Sequence, residues 1–479
     1  MSRRAGDGIL KRRGAARTAM AETIDQWGIL QRMDEARVTR VHWKVMFISG
    51  MGFLTDAYDL FIIGVVMAIL KDQWHPTALA IGLVTSTALL ASAIGALIFG
   101  RIADMFGRKC VYGYECLVLS AGALLSAFAP DIGWLIVFRF ILGVGIGGDY
   151  PVSATIMSEY AGKASRGMLI SLVFSMQAVG LILGPLLAAA LLATPLPHEW
   201  VWRILLAVGA IPPLIVFRAR RAIHETPRYL LAAGRHDEFE RATRSIFEED
   251  GGTAVPGESV ARTPLAFRDG FQKLAGNPRW MRYLVGASAA WFLMDFAYYG
   301  NTVSSPLVLA ALTPRQSLLS HTLTQLAIFV LAAAPGYLVA AVSMDRMGRK
   351  PIQVLGFGVM GAAFAAMAAI PNIEHVVTPF LTIYGLSYFF TEFGPNATTF
   401  VYPAEIFPVE ARTTGHGIAA ATGKLGAFAG VFLFPVLMHW RGLAGAEWVA
   451  AAVSVLGMVV TLGLLPETKG KSLEELSKA

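Results

Sequence analysis

DMFGRK, running from Asp104 to Lys109, returns as DRMGRK, Asp345 to Lys350, at an offset of 241 residues. Each copy follows an apolar run of membrane-crossing length and places a glycine and two cations close after an acid. A second pair keeps the same order: Glu159 precedes Arg166 by seven residues in SEYAGKASR, and Glu405 precedes Arg412 by seven in AEIFPVEAR. Two motifs repeated in one order mark a duplicated unit, a signal that outranks any local reading of secondary structure. The chain reads as two halves of like design.

Outward from these motifs the sequence is apolar. Of 479 residues 55% are hydrophobic and only 15% charged, with mean hydropathy +0.56, more apolar surface than a soluble chain could bury. Crossing the hydrocarbon layer takes roughly 20 residues of helix, and about twelve segments of that length are present. They lie near 44–70, 78–100, 110–129, 133–157, 167–193 and 201–219, then 281–309, 321–343, 351–371, 376–402, 413–438 and 445–466. The expected fold is an all-α polytopic membrane protein with twelve transmembrane helices in two pseudo-symmetric six-helix bundles, 44–219 and 281–466. A charged linker, 220–280, joins them, and tails of 1–43 and 467–479 flank them.

The Arg-rich opening lacks the apolar core of a signal peptide and is read as a cytoplasmic tail. Outward loops hold only the cations Lys71, Arg315 and Arg441, whereas inward loops hold RIADMFGRK, the linker and DRMGRK. That bias puts both termini inside. The net charge of +7 is interleaved with apolar spans, which argues against a nucleic-acid surface. Cys110 and Cys116 fall in one span as small packing residues, so no disulfide is expected. No metal-ligand cluster, phosphate-binding loop or nucleophile elbow is found, so neither enzyme chemistry nor a cofactor or metal is predicted. His416 has no second ligand nearby and reads as a helix-end hydrogen-bonding residue.

This plan resembles the major facilitator superfamily. The resemblance rests on Gly100-Arg101-Ile102-Ala103-Asp104 with Gly107-Arg108-Lys109, Arg139 in RFILGVGIGG, ETPRYL, PAEIFP and PETKGKSLEEL, which are similar to the sugar-porter branch. It implies a central cavity between halves that rock to open each side in turn. It further implies a gate: Asp104, Arg108, Glu159 and Arg166 in one half, with Asp345, Arg349, Glu405 and Arg412 in the other, form ion pairs holding the inner side shut. Asp104 also suits a helix cap. A plain solvated turn with topology-setting charge is the alternative reading.

Ionisable groups at membrane depth cost several kcal/mol each and are functional candidates. They are Asp56 and Asp59 in span one, Glu115 in span three, Arg139 and Asp149 in span four, Asp295 in span seven, Glu392 in span ten and Lys424 in span eleven. Six acids against two bases would repel unless paired or protonated, and acids that gain and lose protons are what a proton-coupled carrier needs. Trp291, Asp295 and Tyr299 recur at i, i+4 and i+8 on one helix face. Asp149 and Tyr150 point roughly 100° apart and cannot share a task. The plainer readings are packing for the aromatics, a structural ion pair for Arg139 and snorkelling to the interface for Glu115. Gly143 and Gly147 read as a tight helix contact.

GGDYPVSATIMSEY (147–160), FSMQAVG, TDAYDLFIIG, WFLMDFAYYG, FGPNATTFVYPAE and GKLGA closely resemble the phosphate:proton symporters of this superfamily. The resemblance implies substrate contacts from Tyr150, Gln177, Trp291, Asp295, Tyr299 and Asn396, with Lys424 beside the cavity. It places Asp56, Asp59, Glu115 and Asp149 on the proton route. The implied partners are inorganic phosphate, protons and the lipid bilayer, handled by a monomer in the cell membrane. Neutral donors suit phosphate oxygens, an acid suits a protonated oxyanion, and lysine binds without the grip of an arginine fork. After Tyr299 the chain reads GNTVSS, where relatives are richer in Asn and Gln, which leaves open a symporter of an organic anion or sugar. A transporter-like phosphate receptor is the reading from another class.

Overall fold

The computed structural model describes residues 29–249, 270–313, 315–370, 373 and 376–478. Residues 1–28 of the expected tail and 250–269 of the expected linker lie outside them. The apolar runs are helices, labelled here as α1 Arg40–Trp74, α2 Ala78–Phe106, α3 Arg108–Ala127, α4 Ile132–Tyr160, α5 Arg166–Leu192 and α6 His198–Ala222. The second half continues with α7 Pro278–Val303, α8 Leu318–Met347 and α9 Arg349–Ala369. Its α10 runs from Val377 to Ile406 in three joined pieces, and α11 and α12 share one helical stretch, Arg412–Leu464.

Nine helices among the described residues are long and apolar enough to cross a membrane. The 53-residue stretch among them counts twice, because the chain turns at Gly442, whose φ of 70° leaves the helical region. With α7, diluted by Asp295 and its tyrosines, and the interrupted α10, they make the expected twelve. The mean lengths follow from about 1.5 Å of rise per residue against a hydrocarbon layer of about 30 Å.

Within the first half α2 packs on α4 and α1 on α5; within the second α7 packs on α11 and α9 on α12. Gly143 and Gly147 explain the first contact: a Cβ on them would meet Ala88 O at 2.2 Å and Ser92 O at 1.8 Å. The halves meet along two seams, α2 with α11 and α5 with α8. Short helices Pro227–Ala232, His236–Glu249, Gly270–Gly276 and Leu473–Lys478 gather at one end of the bundle, here the linker end.

Helix α10 is broken at its functional depth. Glu392–Asn396 forms a π-helical turn holding Pro395, and Gly394 inside it has non-helical φ and ψ of −100° and −111°. Such turns arise where a side chain has to be re-aimed, at a cost in regular bonding. Here the turn carries Glu392 and Asn396 toward the seam.

Candidate functional site

The polar side chains at the centre of the bundle converge on Lys424. Its Nζ donates to the hydroxyls of Tyr150 at 2.8 Å and Tyr299 at 3.0 Å, sits over both rings, and lies 4.0 Å from Asp295 Oδ2. Tyr150 donates in turn to Asp56 Oδ2 at 2.5 Å. Gln177 Nε2 donates to Tyr150 Oη at 3.1 Å and to Asp56 Oδ2 at 3.3 Å. Helices α1, α4, α5 and α11 thus each bring one group and α7 brings two, Asp295 and Tyr299, and every one is buried. Trp291, one turn before Asp295, aims its indole at that carboxylate and packs on Gly423. Asn396 joins at one remove, donating to Tyr337 Oη at 2.9 Å, whose hydroxyl donates to Gln177 Oε1 at 2.8 Å.

Toward the linker end the cluster is roofed by aromatics. Phe174 stacks on Phe400 with centroids 4.5 Å apart, and Phe53 meets both Tyr150 and Phe400 edge-on at 5.0 Å. His416 bonds Phe400 O and abuts Trp291, which matches its expected hydrogen-bonding part. These rings come from both halves. Away from the linker end a narrow cleft of about 20 Å³ opens beside Gln177, Tyr298, Tyr299 and Leu60.

The remaining acids of the first half stand apart from this cluster. Asp59 takes Arg139 at 2.5 Å. Asp149 and Glu115 share Arg220, whose Nη1 reaches each at 2.7 Å and whose Nη2 reaches Asp149 Oδ2 at 3.0 Å. Glu115 also accepts from Gly113 N and is fully buried, so it does not snorkel to an interface. Gly52 makes this pairing possible, since a Cβ there would lie 1.6 Å from Asp149 Oδ2 and 2.8 Å from Arg220 Nη2. Asp149 and Tyr150 do face different neighbours, as their angular separation requires.

At the linker end the repeated motifs interlock across the halves. Asp104 accepts from the N–H groups of Thr413 and Thr414, which open α11, and Asp345 accepts from those of Gly167 and Met168, which open α5. Each acid therefore caps a helix of the opposite half. Arg108 bonds Glu159 at 3.1 Å and Val409 O at 2.8 Å; Arg349 bonds Glu405 at 2.6 Å. The grouping differs from the expected within-half sets. Arg412 crosses to Glu159 at 2.9 Å, while Arg166 takes Asp34 and the carbonyl of Lys471. The reason is the turn after Tyr160, which carries Arg166 to the start of the next helix and away from Glu159.

The chain matches the sugar (and other) transporter family over residues 43–479. It belongs to that family. The transporter is 34% identical to "Probable inorganic phosphate transporter 1-6" of Arabidopsis thaliana, over 95% of this chain and 96% of the relative. It is 34% identical to "Inorganic phosphate transporter 1-1" of Oryza sativa subsp. japonica, over 95% and 97%. Among solved structures it is similar to the major facilitator superfamily proton:xylose symporter XylE bound to a bromodeoxyglucose, with TM-score 0.73, 20% identity, and 91% and 98% of the two chains covered. The partially occluded inward-open form of XylE from E. coli matches at TM-score 0.69 and 18% identity, covering 90% and 99%. The expected superfamily and fold are borne out.

Three groups of this transporter escaped the sequence reading. Arg220 sits in RARR at the end of α6 and was expected to open the linker, yet it is fully buried. The available signal was four acids at membrane depth in the first half, Asp56, Asp59, Glu115 and Asp149, against Arg139 as the one base assigned there from the sequence. Glu225 and Glu467 form a third repeat, 242 residues apart. Glu225 accepts from the N–H groups of Arg108 and Lys109, Glu467 from those of Arg349 and Lys350. Gly107 and Gly348, at φ of 103° and 97°, turn the chain against these carboxylates, where a Cβ would meet them at 2.3 Å and 2.5 Å. The following Thr226 and Thr468 donate to Glu159 and Glu405. Asp34 is the third, gathering Arg166, Arg228 and, through Arg228, Glu474. Burial opposes the charge on Glu474, but Arg228 outweighs it and holds that carboxyl at about 2. Cys116 is buried as expected, whereas Cys110 is exposed.

Proposed function

We propose that this transporter imports inorganic phosphate with protons by alternating access. The observation that carries the reading is Lys424 set between two phenols and 4.0 Å from Asp295, a single ammonium within a ring of neutral donors and acids. An ammonium attracts phosphate as a point charge and releases it more readily than a bidentate guanidinium. The phenols of Tyr150 and Tyr299 and the amides of Gln177 and Asn396 supply directional bonds to phosphate oxygens, with Trp291 closing one side. Asp295 accepts from a hydroxyl of H2PO4⁻. The names of the relatives, which are inorganic phosphate transporters, support the same substrate.

Asp56 and Asp295 beside one lysine give a net negative site when ionised, which repels an anion. Protons arriving on Asp56 and the Asp149–Glu115 group remove that repulsion, and phosphate then replaces the bonds among Lys424, Tyr150 and Asp56. Asp59 serves the proton route through its pairing with Arg139. The six-helix halves 44–219 and 281–466 rock about the site, and the linker end opens when the Asp104 and Asp345 caps let go. Coupling requires that protons and phosphate favour the same state. We place the linker end and both termini in the cytoplasm, following the cation bias, and the protein in the cell membrane as a monomer in lipid.

The test is uptake of labelled phosphate by purified protein in liposomes. An inward proton gradient raises uptake, and Asp295→Asn lowers it sharply. Uptake indifferent to a proton ionophore overturns the coupling. The family's name and the fold it shares with a xylose symporter favour a sugar as the second reading; inhibition by sugars and not by arsenate would select it. Binding without flux would select the receptor.

A further inference from the structure

Six acids lie at membrane depth in the sequence reading, and Glu392 has no part in the function proposed above. It is fully buried in the π turn of α10. Its Oε2 accepts from Asn396 Nδ2, and its Oε1 has no hydrogen-bond partner. No lysine or arginine among the described residues pairs with it. The groups that face it are hydroxyls of Tyr298 from α7 and Tyr337 from α8, with Asp295 and Tyr299 of α7 and Tyr388 of α10 further off; from α9 it is glycine that packs on its turn. Lys424 of α11 is committed to Tyr150 and Tyr299.

That setting differs from those of most other buried acids. Asp59 has Arg139, Asp149 and Glu115 have Arg220, Asp104 and Glu159 have Arg108, and Glu405 has Arg349. Asp56 is the counterpart of Glu392 in the first half: its Oδ2 accepts from Tyr150 and Gln177 while its Oδ1 has no partner. A hydrogen-bonded chain joins the two, its donors pointing outward from Asn396 to either end. Asn396 donates to Glu392 and to Tyr337, Tyr337 donates to Gln177 Oε1, and Gln177 Nε2 donates to Asp56. Each end of the chain is a carboxyl with one oxygen engaged as acceptor and the other open. At the Glu392 end, where no cation pairs with it among the described residues, an ionised carboxylate costs several kcal/mol, and a proton on the open oxygen removes that cost; at the other end Lys424 lies near Asp56 by way of Tyr150. Glu447 of α12 is also buried without a partner for either oxygen, but no bond ties it to this chain.

We propose that Glu392 is a second transported-proton site, placed in the C-terminal half and linked to Asp56 in the N-terminal half through Asn396, Tyr337 and Gln177. The proton binds Oε1 while the linker end is shut and leaves to the linker side once the halves part. Gln177 and Tyr337 lie on α5 and α8, so the link between the acids crosses the seam and breaks when that seam opens. The idea rests on proton symport as proposed above, yet its first readout does not require phosphate.

Infrared pH-difference spectra of the full chain in lipid, without phosphate, test it. The wild type shows a protonated-carboxyl band that Glu392→Gln removes, Glu392→Asp restores and Glu447→Gln leaves in place. In liposomes E392Q moves one proton fewer per phosphate, and its uptake loses most of its response to the proton gradient. Phosphate counterflow at equal pH stays within about threefold, because the glutamine keeps the shape of the turn. An unchanged spectrum, or an unchanged proton count in E392Q, overturns the proposal. Absence of phosphate uptake in the wild type counts against the substrate reading alone and leaves the spectral result to decide the proton site.

Discussion

Asp104 and Thr414 belong to different halves, yet Asp104 Oδ2 accepts both the backbone N–H and the hydroxyl of Thr414 at 2.6 Å. An acid at the end of α2 therefore completes the first turn of α11. The repeat places Asp345 in the same relation to α5, with Met168 N at 2.8 Å. The linker end is held by helix caps whose two parts lie in separate bodies, so parting the halves uncaps both helices.

Removing one such cap shifts the balance between states. A charged cap is worth about 1–2 kcal/mol, and a difference of that size is roughly 5–30-fold in population. Asp104→Ala is expected to move the protein toward the linker-open state by that factor, seen as longer distances between spin labels on the linker-end tips of α2 and α11. An unchanged distance distribution would show that the cap does not hold the gate.

Arg220 neutralises two acids at once. Breaking a buried pair by removing one partner costs about 3–5 kcal/mol, because the charge left behind has no compensation. Arg220→Ala is expected to lower the thermal unfolding midpoint clearly, and the triple change with Asp149→Asn and Glu115→Gln to recover most of the loss. Gly52→Ala attacks the same pairing sterically and should lower the midpoint without touching any charge. Equal midpoints for the single and triple variants would contradict the account.

The C-terminal helix Leu473–Lys478 is tied down by Glu474 on Arg228. Since the folded carboxyl titrates at about 2, below its ordinary 4.5, its stabilisation is full above that ordinary value and is lost as the pH falls toward 2. Protection from hydrogen exchange over residues 473–478, taken relative to the intrinsic rate at each pH, should hold down to pH 4.5 and fall below it. In Glu474→Gln exchange should be fast at every pH; protection equal to that of the wild type would refute the tie.

The duplication and the spans could be read from the chain, because each depends on spacing, whereas the grouping of Tyr150, Gln177, Asn396 and Lys424 was implied only by resemblance to the phosphate:proton symporters. Trp291, Asp295 and Tyr299 share a face in the structure as their spacing of four requires. Arg220 could not be picked out, since its neighbours in RARR are topology-setting cations of the same type and only packing distinguishes the buried one. The Glu225 and Glu467 repeat is hidden for a different reason: HETPRYL continues into the linker and PETKGKSL into the tail, so only a two-residue core is shared. Pairing across halves, as in Arg412 with Glu159, follows from how two bodies meet, which no local pattern encodes.

The meeting of Asp34, Arg228 and Glu474 brings the start, the middle and the finish of the described chain to one spot. A fluorescent donor beside Asp34 and an acceptor beyond Glu474 would then sit close together whenever that end is latched. The protein thus supplies the attachment points for an optical sensor of its own working cycle, readable in living cells without touching the cavity that carries the cargo.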